Sequence, residues 1–274
     1  MMMMMCKKLC VCHSQDENGT TALLMACNGG HVEAARALLS AGASPKLLHS
    51  TGLSPLHHAV NNEYGEVVHA LLAGGPPVDA PFLDAPGGDT ALFRACERGY
   101  LEAACSLLAY QAKVDFQDVV GATSLSAASR AGHVEVVRLL LSKGATVDLQ
   151  NRGGESPLYA ACCEGHVEVV RELLAAGAQV DLASKEGESP LYVACSRGHV
   201  EVACALLAAG AQVDLASRDG VSPLYAACSK GHVEVVRALL AAGAQVSALF
   251  IGRFHNIQTR CKAFWMFQNV TGKF

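Results

Sequence analysis

Cysteine and histidine are the residues of this sequence best suited to chemistry, with 12 Cys and 11 His among 274 residues. Thiolate and imidazole are the usual ligands of zinc, and a thiolate can also act as a nucleophile. The one local cluster of both types is Cys6, Cys10, Cys12 and His13. Its C-x3-C-x-C-H spacing differs from the spacings of known zinc sites, so we predict no metal site there.

Most other cysteines and histidines recur at a fixed spacing, which indicates a repeated structural element. Gly-His-Val-Glu begins at residues 132, 165, 198 and 231, and Ser-Pro-Leu-Tyr begins at residues 156, 189 and 222, so both motifs return every 33 residues. Earlier equivalents of Pro157 are Ser124, Ala91, Pro55 and Ala22, with a step of 36 residues between Pro55 and Ala91. The chain therefore contains seven copies of one small unit.

Each unit is predicted to form two helices joined by a turn. Ser156 is suited to cap the first helix, and Pro157 to its first turn, where the missing N–H costs nothing. Gly165 ends this helix, and the apolar residues that follow recur at a helical spacing. Gly177 is predicted to stop the second helix in a left-handed conformation. The turn-forming residues that remain would project as a hairpin-like finger.

The units resemble ankyrin repeats over roughly 230 of the 274 residues. A turn Gly, a Thr/Ser-Pro-Leu start, a central Gly-His and a terminal Gly-Ala-x-Val-Asp recur in register. The resemblance implies an all-α ankyrin-repeat solenoid of helix-turn-helix units, with hairpin fingers and first helices on its concave side. We predict an N-terminal extension (1–15), repeats (16–246) and a C-terminal tail (247–274). The repeats are expected at about 16–48, 49–84, 85–117, 118–150, 151–183, 184–216 and 217–246.

The repeat keeps the periodic thiols and imidazoles apart. Packed helices lie about 10 Å apart, whereas the Cα atoms of a disulfide lie within about 7 Å and zinc ligands lie about 2 Å from the metal. We therefore expect the periodic cysteines to be buried and unpaired. The resemblance makes the periodic histidines hydrogen-bonding residues at the start of the second helix. These residues are Cys27, Cys96, Cys162, Cys195 and Cys228, and His31, His133, His166, His199 and His232.

Outside the repeat pattern the sequence contains no Gly-rich phosphate loop, nucleophile elbow or pair of carboxylates. Asp181 and Asp214 stand at turn positions, where we expect them to bond their own backbone. Cys105 and Cys204 replace the Arg of other units and are expected to be exposed. We predict no catalytic residue, no cofactor, no metal ligand and no enzyme activity.

Charge and hydropathy exclude two further classes of protein. The tail from residue 247 holds four basic and no acidic residues, so the remaining chain has 17 basic against 25 acidic residues, a net charge of −8. An acidic body argues against nucleic-acid binding. The longest nearly apolar stretch, Val202–Val213, falls short of the roughly 20 residues that span a bilayer.

A binding surface is expected where units depart from their shared pattern. The three-residue insertion places Phe82 and Leu83 in one finger, and the next finger carries Val119 and Val120 where later units have charged residues. Apolar finger tips would form a contact patch; alternatively, the long finger folds its Phe onto the neighbouring unit. Gln111 replaces the helix-stopping Gly, so we expect the interface of units three and four to be the most mobile.

Charged residues of mixed sign are expected on the fingers and first helices of units five to seven. They form a second candidate protein-binding surface, the alternative being a simply solvated face. Tyr159, Tyr192 and Tyr225 are expected to pack between repeats, since about 10 Å is too long for ring stacking. The candidate charged residues are Arg152, Glu155, Glu164, Lys185, Glu188, Arg197, Arg218 and Lys230.

The tail contains five of the eight Phe residues and the single Trp. A helix from about Leu249 to Phe267 would carry one apolar stripe. The tail could cap the last repeat, bind a membrane surface or a partner groove, or be an extension without selected structure.

Together these observations favour a non-catalytic scaffold or adaptor that binds one or more proteins on its concave face. Alternatives are a substrate-receptor subunit of a ubiquitin ligase, although no Leu-Cys-Arg-like start of a C-terminal box follows the array, and a membrane-associated signalling adaptor that uses the tail. We expect a monomer in the cytoplasm or nucleus that does not bind nucleic acid. The partner is not readable from the sequence.

Overall fold

A computed structural model describes residues 14–81 and 88–246, which form fourteen α-helices and no β-strand. This confirms the predicted all-α fold of helix-turn-helix units. The helices are α1 (Ala22–Asn28), α2 (Val32–Ser40), α3 (Pro55–Asn61), α4 (Gly65–Ala73), α5 (Ala91–Glu97), α6 (Leu101–Ala109), α7 (Ser124–Ala131), α8 (Val134–Ser142), α9 (Pro157–Glu164), α10 (Val167–Ala175), α11 (Pro190–Arg197), α12 (Val200–Ala208), α13 (Pro223–Lys230) and α14 (Val233–Ala241).

The helices alternate between a first helix of seven or eight residues and a second helix of nine. None of the described helices is long and apolar enough to cross a bilayer. The described residues divide into two compact parts of several repeats each, called the first unit and the second unit below. The first unit comprises residues 14–81, 88–128 and 135–145, and the second comprises residues 129–134 and 146–246.

The first helices of the fifth to seventh repeats begin and end as the sequence predicts. The Ser156 hydroxyl accepts a hydrogen bond from the Tyr159 N–H at 3.1 Å, and Pro157 occupies the first turn of α9. This arrangement satisfies an amide that has no partner within the helix. Gly165 ends α9 with φ 82°, a left-handed conformation that favours glycine.

Second helices are amphipathic. In α10, Val169, Val170 and Leu173 are fully buried, while Glu168 and Arg171 form an exposed ion pair at 2.6 Å. Gly177, just beyond the helix, has φ 88°, which confirms the predicted left-handed stop. The apolar face of the second helix thus fixes its orientation against its own first helix.

The core of each repeat consists mainly of Leu, Val, Ala and Cys side chains. Leu158, Leu191 and Leu224 of successive first helices are at most 1% exposed. In the second unit α9 packs on α11 and α11 on α13. Since burying one Leu contributes roughly 1.5–3 kcal/mol, each repeat depends on its neighbour for its core.

Gln111 is one of two non-glycine residues with positive φ in the described chain, at 64°. The sequence predicted this conformation, because the other repeats have Gly at the equivalent position. A side chain in this region costs on the order of 1 kcal/mol. The expected mobility of the third and fourth repeats stays a prediction.

Candidate functional site

Backbone hydrogen bonds join successive fingers of the second unit. The Lys185 N–H donates to the Gly153 carbonyl, and the Arg218 N–H donates to the Glu186 carbonyl, both at 2.9 Å. The side chains of Lys185 and Arg218 are exposed, as is Arg152 at the equivalent position one finger earlier. Main-chain hydrogen bonds between neighbouring fingers therefore fix the backbone that carries a row of three basic residues, Arg152, Lys185 and Arg218.

The aspartates at the repeat ends bond the next repeat. An Asp181 carboxylate oxygen accepts from the Gln212 N–H at 3.1 Å, and Asp214 accepts from the Gln245 N–H at 3.1 Å. The prediction that these carboxylates bond their own backbone is wrong. Gln212 follows the end of α12, and the repeat spacing brings its N–H beside the carboxylate of the repeat before.

The periodic histidines also bond a neighbouring repeat. The Nε2 atoms of His166, His199 and His232 lie 3.0–3.2 Å from carbonyls 36 residues earlier, at the ends of first helices. None of these rings caps its own helix. A Cβ at Gly165 would lie 2.6 Å from the His199 ring. The Gly-His motif therefore serves both a left-handed turn and a close approach between repeats.

Two glutamates of the predicted set are held by neighbouring side chains. The Tyr159 hydroxyl donates to Glu188 at 2.8 Å, while Arg130 and Asn151 donate to Glu155 at 3.2 and 2.8 Å. Burial, together with the bond to Glu188, raises the pKa of the Tyr159 phenol. Tyr159 thus packs between repeats, as expected, and fixes the Glu188 carboxylate at the base of the next finger.

Buried thiols line the first helices, and exposed thiols stand on the second helices. Burial raises the pKa of both Cys195 and Cys228 to about 12, so these thiols stay protonated at neutral pH. Cys105 and Cys204 are exposed, as predicted. Among the described residues, no three His, Cys, Asp or Glu side chains are grouped to hold a metal ion.

Sequence reasoning missed Cys163, a half-buried free thiol on α9. Burial raises its pKa, and the charges of Arg197, Glu164 and Arg130 act on it. Equivalent positions carry Ser196 in the next repeat and Arg130 in the one before. The signal was the Cys-Cys pair, of which only Cys162 follows the period.

Six of the eight predicted charged residues are exposed and form no ion pair with another described residue. Three stand on finger turns and three at the ends of first helices. They are Arg152, Glu164, Lys185, Arg197, Arg218 and Lys230.

The apolar patch predicted on two adjacent fingers is described in part. Val119 and Val120 are 48% and 52% exposed. Phe82 and Leu83 lie outside the described residues. The described half of the patch is therefore a pair of exposed valines on one finger of the first unit.

The sequence model described as Ankyrin repeats (3 copies) matches overlapping segments, 3–81, 45–118, 76–151, 92–184, 143–219 and 176–249, which together cover most of the chain. The chain belongs to the ankyrin-repeat family. The family resemblance drawn from the sequence is thereby confirmed. Ankyrin repeats generally mediate protein–protein interaction and are typically non-enzymatic.

Similar ankyrin-repeat proteins include large relatives and a solved domain. The human "Ankyrin repeat and KH domain-containing protein 1" is 38% identical over 109 residues, 39% of this chain and 4% of that protein. The human "Transient receptor potential cation channel subfamily A member 1" is 36% identical over 103 residues, 38% of this chain and 9% of that protein. The chain thus spans under a tenth of either relative.

The crystal structure of the human ASB11 ankyrin repeat domain is similar to this ankyrin-repeat chain, with a TM-score of 0.72 and 30% identity. The match covers 83% of this chain and all of that domain. It supports the solenoid fold that the repeat implied.

Proposed function

We propose that this chain is a non-catalytic scaffold whose finger turns and first-helix ends bind a partner protein. The observation that carries the proposal is the set of six exposed charges without an ion pair in the described chain. Charges left unpaired at a surface are available to a partner, and their pattern sets specificity and association rate. Glu155 and Glu188, which bond neighbouring repeats, instead support the fingers.

The shared backbone frame makes these charges suited to recognition. Because fingers are joined by main-chain hydrogen bonds, their side chains are free to differ without loss of the fold. Arg152, Lys185 and Arg218 repeat one sign at the spacing of the array. This row would pair with acidic residues of a partner, while Glu164, at the helix end equivalent to Arg197 one repeat earlier, provides the opposite sign.

Affinity capture from cell extract with the intact chain tests this proposal. We expect the triple variant Arg152→Glu, Lys185→Glu, Arg218→Glu to lose partners that the unmodified chain retains. The matched control reverses three arginines of the second helices, Arg36, Arg138 and Arg237. Circular dichroism establishes that both variants are helical. Equal losses in the two variants, or no loss in the finger variant, would refute the assignment of this surface.

The exposed valines of the first unit form a separate arm of the test. Changing Val119 and Val120 to Ser should reduce capture of partners that use this finger. An unchanged set of partners would remove the valine pair from the binding surface.

Two other roles predicted from the sequence stay proposals. Both the ubiquitin-ligase and the membrane-adaptor roles depend on residues 247–274, which lie outside the described residues. The monomeric state and the cytoplasmic or nuclear location also stay proposals.

A further inference from the structure

The second helices carry an ion-pair pattern that is interrupted at certain repeats. In α2, α10 and α14 an Arg pairs with the Glu three residues before it, at 3.1, 2.6 and 3.0 Å. Seven positions are equivalent to that Arg. They are Arg36, His69, Cys105, Arg138, Arg171, Cys204 and Arg237.

In α12 the interruption leaves an acidic side chain without its partner. Glu201 stands where Glu168 and Glu234 stand in their helices, and it is exposed. It forms no ion pair with any described residue, because Cys204 replaces the Arg that would reach it. The neighbouring Arg171 is already paired with Glu168.

Beside the short Cys204 side chain there is also space between α10 and α12. This space is an open groove of about 570 Å³, defined as the Cys204 groove. Leu174, Val200, Ala205 and Ala208 line it, and Glu201 and Arg171 stand among them. An Arg at position 204 would extend its chain of methylenes into this space.

We propose that the Cys204 groove binds a segment of another protein that inserts an aliphatic side chain and pairs an adjacent Arg or Lys with Glu201. The apolar lining suits the aliphatic group, since covering it removes apolar surface from water. Charge complementarity specifies a basic side chain as the second group of the partner. Glu168 neutralises Arg171, whereas no described residue neutralises Glu201. The partner thus supplies the basic side chain that Arg171 supplies in α10 and Arg237 supplies in α14.

This site is independent of the finger surface. It is formed by second helices, whereas the finger surface is formed by finger turns and first-helix ends. Loss of one surface should therefore leave binding at the other unchanged, so failure of either proposal can be recognised separately.

A phage-displayed library of random peptides, selected on the intact chain, tests the groove. We expect enrichment of peptides with an aliphatic residue close to Arg or Lys. Cys204→Arg should weaken their binding at least about 10-fold, since it fills the groove and pairs with Glu201. Cys105→Arg is the matched control, because it restores the same Arg–Glu spacing in α6 and should leave binding unchanged.

Two further measurements localise the binding. Glu201→Gln should weaken the same peptides about 2- to 5-fold, the usual range for one exposed ion pair. Bound peptide should slow maleimide labelling of Cys204 but not of Cys105. An empty selection, peptides without a basic residue, or equal binding to Cys204→Arg and Cys105→Arg would each overturn the proposal.

Discussion

Two buried serines of α7 should respond to the same substitution with opposite signs. Ser129 is fully buried, and its hydroxyl has no hydrogen-bond partner among the described residues. Ser126 is also buried, but its hydroxyl donates to the Thr123 carbonyl at 2.8 Å and accepts from the Thr123 N–H at 2.9 Å. A bonded hydroxyl stabilises the fold, whereas an unbonded one retains its desolvation cost.

The expected magnitudes follow from this difference. An unsatisfied buried hydroxyl lowers the free energy of unfolding by about 1–3 kcal/mol. Replacing Ser129 by Ala removes this cost, but it also removes the packing contacts of the oxygen atom, which offsets part of the gain. We therefore expect Ser129→Ala to raise the free energy of unfolding by about 1 kcal/mol. Ser126→Ala should lower it by about 1 kcal/mol. Ser129→Cys should also stabilise, because Cys162 and Cys195 occupy the equivalent position in later repeats and a thiol is a weak donor.

Urea unfolding followed by circular dichroism measures these changes, and amide hydrogen exchange in α7 shows whether they are local. Exchange matters because an array of repeats need not unfold in one step. If both alanine variants lose the same stability, the Ser129 hydroxyl is bonded in solution, and the argument from its burial is refuted.

Three other predictions concern single side chains. Gln111→Gly should raise the free energy of unfolding by up to about 1 kcal/mol, since glycine adopts φ 64° without strain; a lower urea midpoint would contradict this. Tyr159→Phe should destabilise the chain by about 1 kcal/mol through loss of the 2.8 Å bond to Glu188, and an unchanged midpoint would show that this bond is not stabilising. In thiol labelling of the folded chain, Cys204 should react far faster than Cys195, whose pKa burial raises to about 12; equal rates would show that Cys195 is accessible.

The helix boundaries could be predicted because their signals are local. Ser156 caps α9 and Gly165 ends it through residues adjacent in sequence. The same signals recur in every later repeat, so each occurrence supports the others. Because the pattern returns every 33 residues, the helices predicted for one repeat could be assigned to the other repeats of the 274-residue chain.

The bonds between repeats could not be predicted in the same way. Periodicity places Asp181 and His199 within a unit, but it does not show which neighbour each side chain faces. Asp181 bonds forward to Gln212, whereas His199 bonds back to the Cys163 carbonyl. Cys163 itself escaped notice because its position varies from repeat to repeat, and variable positions have no periodic signal.

The forward bonds of the aspartates have a consequence for how such a chain can change in length. The donor to Asp181 is a main-chain N–H, as are the donors to Asp214 and Asp79. In the first unit that donor belongs to Lys113, in the second to glutamines, so this main-chain bond does not require a particular side chain at the donor residue. A duplicated or deleted copy of a repeat that ends in this aspartate therefore meets the same main-chain partner at its new junction. Duplication of a repeat can lengthen the array, and deletion can shorten it, without a compensating substitution at this bond.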